Sequence, residues 1–180
     1  FAEEFREMRE REGGAWVFTS ATLSSAGRFD LFKQRLGIGE CVERTWESPF
    51  NYWEQGCFYL PQMPPPANNT AVHTHNVIEK VWPLINAAGG RTFVLCTSLA
   101  AVRAAADELQ ARLEANGNPY PLFVQGDGPK MRLIEEFRAH GNAVLVGSMS
   151  FWEGVDVKGE ALSLVVIDKI PFAPPNDPVM

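Results

Sequence analysis

The sequence predicts an α/β fold in which a mainly parallel sheet carries helices on both faces. Short apolar runs rich in Val, Ile and Leu alternate with helical patterns along most of the chain. Runs of this kind are typical of strands buried on both faces of a parallel sheet. Each run also leads into a loop of glycine, hydroxyl or amide residues. Loops at the carboxyl ends of parallel strands are where such sheets bind ligands.

The composition is that of an ordinary globular protein, and it excludes some classes of function. A net charge of −6 argues against a dedicated polybasic nucleic-acid binder. It leaves open a groove that contacts phosphates through backbone N–H groups and hydroxyls. No stretch approaches the apolar length needed to cross a bilayer, so no membrane partner is expected. Because Cys41, Cys57 and Cys96 form no CxxC pair, we predict buried free thiols instead of a disulfide or metal cluster.

A leading helix is predicted within residues 1–14, because Phe1, Phe5 and Met8 recur on one side of a helical wheel. A glycine pair ends this helix. Ala15–Phe18 follows as a predicted strand. The chain lacks an initiator Met and closes on a Pro-rich run, so we expect a fragment that is cut at both ends.

Three hydroxyl side chains, those of Thr19, Ser20 and Thr22, follow the predicted strand. Hydroxyls at the end of a strand can bond a neighbouring loop or the phosphate of a ligand. Capping of the next helix by Ser24 or Ser25 is the simpler explanation for serine in this region. Capping accounts for one serine, however, and leaves the group of three unexplained.

The next helix is predicted over about Gly27–Leu36, and Gly37–Pro66 is predicted to be mainly irregular. Its aromatic residues are Phe50, Tyr52, Trp53, Phe58 and Tyr59. Interleaved aromatic and basic residues would suit base stacking, but no basic residue accompanies these rings, so packing is favoured. Cys57–Leu60 is predicted as a short strand, and Pro64–Pro66 as a stiff connector.

Strand and helix patterns alternate most regularly in residues 67–180. The predicted strands are Thr92–Cys96, Leu122–Val124, Val144–Val146 and Leu162–Ile167. The first predicted helix runs from Asn69 or Thr70 to about Asn86, and Pro83 is expected to bend or end it. A second helix is predicted over Leu99–Ala115, and a third begins at Pro129. Because parallel strands end at the same edge, we expect the loops after them to collect there.

The loop after Val144–Val146 carries the strongest local signal, in Glu153, Gly154 and Asp156. Two carboxylates and a glycine suit phosphate, ribose or cation partners better than an apolar ligand. The same residues would also suit a left-handed turn flanked by two solvated acids. The spacing alone leaves both interpretations open.

Taken together, these segments resemble the second motor domain of a superfamily-two helicase, and most closely the DinG/YoaA branch of the XPD-like DNA helicases. Thr19–Leu23 resembles motif III, and Val94–Ser98 resembles motif IV. Gln125-Gly126, with the helix that follows, resembles motif IVa. Ser150–Gly159 resembles motif V and is the most specific part. The stretch that begins at Asp168 resembles the continuation found in this branch.

The resemblance implies a three-layer RecA-like domain that spans residues 1–180. Within it, 1–14 is the leading helix, 15–66 the motif III segment and linker, and 67–180 the motif IV to V core. The phosphate loop, the acidic box and the arginine-finger motif of such helicases lie outside this sequence. ATP and Mg²⁺ would be bound mainly by the missing first domain, which would also hold any iron–sulfur cluster. This fragment alone is therefore expected not to hydrolyse ATP.

The resemblance also implies roles for individual residues. The expected nucleotide-facing residues are Glu153, Gly154 and Asp156. The expected DNA-facing residues are Thr97, Ser98, Gln125, Gly126, Ser148 and Trp152. Thr19, Ser20 and Thr22 are expected to couple the nucleotide cleft to the strand site. The implied partners are single-stranded or forked DNA and the first motor domain of the same chain, in a cytoplasmic, nucleoid-associated protein of DNA repair or replication.

Two other functions fit the fold class. One is a non-catalytic nucleotide- or protein-binding module on a doubly wound α/β fold, which the fold alone does not exclude. The other is a small α/β enzyme that acts through Ser148 or Cys96. No histidine stands in a recognisable partner arrangement with either residue, which disfavours this second alternative.

Overall fold

The chain divides into two compact units, a first unit Phe1–Tyr59 and a second unit Leu60–Met180. The structure, a computed structural model, describes residues 2–65, 69–152, 155–157 and 159–170. The second unit contains a parallel sheet, whereas the described residues of the first unit form helices and irregular segments only.

The first unit is held together by a small aromatic cluster. Its helices are α1 (Ala2–Glu12), α2 (Asp30–Leu36) and α3 (Tyr52–Gln55). The ring of Phe5 lies 5.7 Å from that of Trp16, measured between ring centroids, and Trp16 stacks on Phe18 at 6.3 Å. Phe18 in turn meets Phe32 of α2 edge-on at 5.6 Å. No described residue of this unit is buried, so the cluster does not amount to a hydrophobic core.

Both strands predicted for the first unit are wrong. Ala15–Phe18 and Cys57–Leu60 are irregular in the structure, and the side chain of Val17 is 84% exposed. A strand needs a neighbouring strand to accept its backbone hydrogen bonds, and the described part of this unit offers none. The predicted burial of Cys41 and Cys57 is wrong for a related reason, since both thiols are exposed where no core exists to cover them.

The predicted serine cap of α2 is also wrong. The helix begins at Asp30 after Phe29, whose side chain makes no capping hydrogen bond. Ser25 is instead used in a tight turn, in which its N–H donates to the Arg28 carbonyl at 2.9 Å. This turn occupies the residues expected in the first helical turn and delays the start of the helix.

The second unit is built on a four-stranded, all-parallel sheet with strand order β2-β3-β1-β4. The strands are β1 (Thr92–Leu95), β2 (Leu122–Val124), β3 (Val144–Gly147) and β4 (Leu164–Ile167). The helices are α4 (Thr70–Ala87), α5 (Leu99–Ala115) and α6 (Lys130–His140), with 3-10 turns at Met149–Phe151 and Gly159–Ala161. In the register of the sheet, Thr92 of β1 lies opposite both Val144 and Leu164.

Helices cover both faces of the sheet, as predicted for a three-layer fold. On one face, β-branched side chains of β1, β3 and β4 pack with α4 and α5, where Ile78 and Leu109 are fully buried. On the other face, Phe93 and Leu145 pack with α6, where Phe137 is fully buried. This division follows from the alternation of side chains along each strand.

Polar caps and edges set the limits of these elements. The Asn69 side chain accepts a hydrogen bond from the Ala71 N–H at 2.9 Å, and α4 continues through Pro83 to Ala87.

The expectation that β4 is buried on both faces is wrong, because Val165 and Ile167 are each 49% exposed. Strand β4 lies at the edge of the sheet, where the α4–α5 layer covers one face and the α6 cluster does not reach the other.

Candidate functional site

The carboxyl ends of all four strands meet at one edge of the sheet, which we call the carboxyl edge. Backbone hydrogen bonds continue past the strand ends, from Cys96 N–H to Gly147 O at 2.8 Å and from Asp168 N–H to Leu95 O at 3.1 Å. The residues that follow the strands at this edge are Thr97, Ser98, Gln125, Gly126, Ser148 and Asp168. Loops far apart in sequence are therefore brought together by the parallel topology.

A side-chain hydrogen bond ties the loop after β2 to the loop after β3. The Gln125 Oε1 accepts from the Ser148 N–H at 2.6 Å. Ser148 is only 9% exposed, Gln125 is half-buried and Gly126 is exposed, so this bond is partly shielded from water. Gly126 has a φ of +114°, a conformation that side chains disfavour, and it lets the chain turn immediately after Gln125.

The loop after β1 begins helix α5. Ser98 is the N-cap residue, and its Oγ accepts from the Ala101 N–H at 3.2 Å. A capping hydroxyl still carries its own O–H donor, so capping and a contact to a phosphate oxygen are compatible. Ser98 is exposed and Thr97 is half-buried, which leaves both near the surface of the carboxyl edge.

Trp152 packs against the sheet. Its half-buried ring lies against the apolar cluster formed by β1, β3 and α6. The indole N–H is buried and has no hydrogen-bond partner. Beside it, the Phe151 ring lies so close to Gly147 that a Cβ there would come within 2.8 Å of it. The tryptophan expected to face DNA is thus partly occupied in packing, and its role in DNA contact stays a prediction.

Asp156 is held at the surface by the two valines that flank it. Val155 and Val157 pack against the α6-side cluster, while Asp156 between them is exposed. The alternation of side chains therefore directs the carboxylate away from the core. Glu153 and Gly154, the other expected nucleotide-facing residues, lie outside the described residues.

Asp168 lies at the carboxyl edge and was not predicted as a site residue. Both its carboxylate oxygens are buried without a hydrogen-bond partner. Burial raises the pKa of this carboxyl, while the N–H groups of Lys169 and Thr97 and the nearby His73 oppose the shift without satisfying the oxygens. The signal that could have found it is an acid placed directly after a predicted strand.

His73 of α4 reaches the same place from the helix layer. Its ring is buried, and its Nε2 lies 3.2 Å from the Asp168 carbonyl oxygen. A carbonyl can only accept, so Nε2 carries the proton of this hydrogen bond. The start of α4 is thereby attached to the end of β4.

Cys96 lacks the environment of a reactive thiol. It is buried, and burial raises its pKa to about 12, with the charge of Asp168 adding to the effect. Nucleophilic cysteines need a lowered pKa. The structure therefore gives no support to a small enzyme that acts through Cys96.

Three hydroxyl-bearing residues of the first unit, Thr19, Ser20 and Thr22, lie at a local turn. Thr22 donates its N–H to Ser20 Oγ at 3.2 Å, and the two hydroxyl oxygens are also 3.2 Å apart. Thr19 and Ser20 line a cavity of about 490 Å³ in this unit. Its other lining residues are Phe18, Ala21, Leu23, Ser24, Phe29, Arg44, Thr45 and Trp46. The wall of this cavity therefore combines hydroxyl-bearing residues and one arginine with aromatic residues.

With this geometry established, comparison with known proteins is informative. Residues 81–180 match the family described as the helicase C-terminal domain. The chain belongs to this family. The carboxyl edge of the second unit is accordingly part of a helicase C-terminal domain, and every strand of the sheet lies inside the matched region.

The similar proteins come from the predicted branch. The ATP-dependent DNA helicase YoaA of Haemophilus influenzae is 42% identical over 180 residues, which is 99% of this chain and 27% of that protein. YoaA of Escherichia coli is 39% identical, with 99% and 27% covered. The ATP-dependent helicase DinG of Mycobacterium tuberculosis is 37% identical, with 91% and 24% covered. The predicted resemblance to the DinG/YoaA branch is confirmed, and the chain spans about a quarter of the length of these relatives.

Two features are missing from the described residues of the chain. Among the residues that the structure describes, His, Cys, Asp and Glu side chains form no group of three that could hold a metal ion. Within the same ranges, no helix combines the length and apolar character required to span a membrane.

Proposed function

We propose that this chain is the second motor domain of an ATP-dependent DNA helicase that moves along single-stranded DNA, in DNA repair or replication. The convergence of the strand-end loops at the carboxyl edge is the observation that carries the proposal. Membership of the helicase C-terminal domain family and the names of the similar proteins support it. A cytoplasmic, nucleoid-associated location follows from this role.

Thr97, Ser98, Gln125, Gly126 and Ser148 would contact the DNA backbone. Their hydroxyl, amide and N–H groups donate hydrogen bonds to phosphate without carrying a charge. Such donors give affinity that does not depend on base sequence, as a translocating motor requires. Because uncharged donors release few counterions, this domain would hold DNA weakly and with a shallow salt dependence. Trp152 would add at most an edge contact, given its packing.

Asp156 would face the nucleotide, together with Glu153 and Gly154. Its exposed carboxylate is suited to accept a hydrogen bond from a ribose hydroxyl or from an arginine. ATP bound between this domain and a first motor domain would receive its phosphate and Mg²⁺ contacts from the other side. Phosphoryl transfer depends on positioning and charge stabilisation from both walls of such a cleft.

The first unit would dock against that first motor domain. Its most exposed apolar residues include Trp53 at 97%, Phe58 at 92% and Val42 at 86%. Exposed apolar surface of this kind supports the proposed interface where it forms a contiguous patch. Thr19, Ser20 and Thr22 would couple the nucleotide cleft to the strand site from within this unit. Forked DNA is a second expected substrate of the complete motor.

The test is Asp156→Ala in the complete helicase, with DNA-stimulated ATP hydrolysis as the measurement. Losing one charge-assisted hydrogen bond of the nucleotide cleft should lower kcat/KM by roughly tenfold to a hundredfold. Glu160→Ala is the matched control, because it removes an exposed acid from the same segment outside the proposed contact.

Equal rates in the two variants would remove Asp156 from the nucleotide cleft. A complete protein that binds DNA or nucleotide but shows no ATP hydrolysis would instead favour the non-catalytic binding module. Either result is obtained from purified protein.

A further inference from the structure

Two side chains from the region after β2 hold the loop that follows β3. Gln125 accepts the Ser148 N–H at 2.6 Å. Lys130, in the first turn of α6, donates from Nζ to the Ser150 carbonyl at 2.5 Å. The same ammonium group lies 5.6 Å from the centroid of the Phe151 ring. These contacts hold both ends of the short segment 148–150.

Both hydrogen bonds are made to backbone atoms of the held segment. Their geometry therefore fixes the path of the chain, whichever side chains the segment carries. Ser148 is buried, so loss of the Gln125 oxygen would remove the protein acceptor of an N–H that water reaches poorly. A buried donor left without an acceptor is costly enough to shift a loop.

The Ser148 contact also orients the Gln125 amide. An N–H group must be matched by an oxygen, so Oε1 points toward Ser148 and the amide NH₂ is turned the other way. One planar group therefore has an acceptor committed to the β3 loop and donors left for a different partner. At the carboxyl edge, a phosphate oxygen would suit those donors.

We propose that Gln125 and Lys130 are positioning residues that couple DNA contact at the carboxyl edge to the placement of Asp156. Gln125 would bind a phosphate with its NH₂ group and hold Ser148 with its oxygen. Lys130 would fix Ser150 and Phe151, the next step of the chain toward Asp156. This inference rests on the proposed helicase function and assigns these side chains to its coupling.

A rival explanation is that Lys130 simply attracts DNA through its charge. Arg132 separates the two explanations, because it is a second cation near the start of α6. Its guanidinium donates to the Asp127 carbonyl at 3.0 Å and pairs with Glu136 at 3.7 Å, so both of these partners belong to its own loop and helix. A role in charge attraction predicts equal effects at both positions, whereas a role in positioning predicts an effect at Lys130 alone.

The first experiment compares Lys130→Met with Arg132→Met in the complete helicase. We expect Lys130→Met to lower kcat at saturating single-stranded DNA by about tenfold, the equivalent of one lost hydrogen bond, and to change the Kd for DNA by less than about threefold. Arg132→Met should leave kcat unchanged. Lys130→Arg should recover most of the lost rate, because a guanidinium can reach the same carbonyl.

The second experiment separates the two halves of the Gln125 amide. Gln125→Glu keeps an acceptor for Ser148 but removes the donors and adds a charge that repels phosphate. Gln125→Met removes both the acceptor and the donors. We expect both variants to bind DNA more weakly, with kcat at saturating DNA about tenfold higher in Gln125→Glu than in Gln125→Met.

Several results would overturn the proposal. Equal kcat values for Lys130→Met and Arg132→Met would show that the Lys130 contact does not position the loop. Equal kcat values for the two Gln125 variants would show that its oxygen does not position the loop. If Lys130→Met failed to fold, the Gln125 pair would decide the question. A wild-type protein without DNA-stimulated ATP hydrolysis would refute the helicase function itself, and this is seen before any variant is made.

Discussion

The two compact units are both rich in large apolar side chains but bury them to very different extents. In the second unit, Phe137, Leu109 and Leu145 are fully buried. In the first unit, Trp53 and Phe58 are more than nine-tenths exposed. The difference shows that apolar patterning predicts which side chains will be buried. Whether they are buried within the same unit depends on the strands and helices that this unit can pack against them.

The parallel sheet explains why the second unit has a core. Its strands satisfy one another's backbone hydrogen bonds and present two faces, each of which a helix layer covers. In the first unit, Ala15–Phe18 has strand-like residues, but the residues described for that unit include no strand to pair with it. The apolar side chains of that unit are consistent with an interface to another domain, which is the role we propose for them.

The largest expected effect comes from a matched pair of phenylalanines, one from each unit. Phe137→Ala removes a fully buried ring and should lower the free energy of unfolding by about 3–5 kcal/mol. Phe58→Ala removes a ring that is 92% exposed and should change it by less than about 0.5 kcal/mol. Chemical denaturation of the 180-residue chain measures both values.

Similar decreases in the free energy of unfolding for the two substitutions would contradict the difference in burial between the units. They would mean that the aromatic residues of the first unit are buried in solution, by self-association or by folding that differs from this structure. Measuring the transition at two protein concentrations separates these cases, because only association depends on concentration.

A smaller effect is expected from two glycines with similar backbone conformations. Gly90 and Gly27 have φ angles of +77° and +73°. A Cβ at Gly90 would lie 2.1 Å from the Asn142 carbonyl oxygen, whereas a Cβ at Gly27 would meet nothing within 4 Å. Gly27→Ala should cost only the left-handed strain of about 1–2 kcal/mol.

Gly90→Ala should cost a further 1–3 kcal/mol or so, because the loop between α4 and β1 must move away from Asn142. Denaturation midpoints of the two alanine variants give the difference directly. Equal midpoints would show that the packing around Gly90 relaxes easily, and that the second unit is less tightly packed than its buried core indicates.

The fold of the second unit was predictable because its signals are local. Thr92–Cys96 and Val144–Val146 are short β-branched runs, and the Ala-rich stretch Leu99–Ala115 starts at a serine cap and ends before a glycine. Each element could be located from its own residues. The edge position of β4 could not, because strand order depends on contacts between distant segments.

The site was predictable only at the level of topology. Parallel strands place Thr97, Gln125 and Ser148 at one edge, whatever their side chains do. The bond from Gln125 to Ser148 spans 23 residues and depends on side-chain geometry that spacing does not encode. The burial of the Asp168 carboxylate depends equally on neighbours from other elements.

The smallest expected effect concerns the Asp168 carboxylate, which is buried in the second unit without a hydrogen-bond partner. Burial raises the pKa of Asp168, so the folded chain binds this proton more tightly than the unfolded chain. The stability gained from the protonated carboxyl is full below the unfolded pKa and is lost as pH rises through the folded pKa. Asp168→Asn keeps the shape and cannot ionise. Its unfolding temperature should therefore exceed that of the wild type at pH 8, by an amount that shrinks toward pH 4.

Asp107→Asn is the control for loss of one negative charge, since Asp107 lies on the exposed side of α5 in the same unit. A wild type more stable than Asp168→Asn at pH 8 would mean that the ionised carboxylate has a favourable partner in solution. A more stable Asp168→Asn variant, which is the expected result, would mean that the ionised carboxylate lacks such a partner. A buried carboxylate that lowers stability is the kind of local cost that proteins tolerate at functional sites, and here it lies beside Thr97 on the edge proposed to contact DNA.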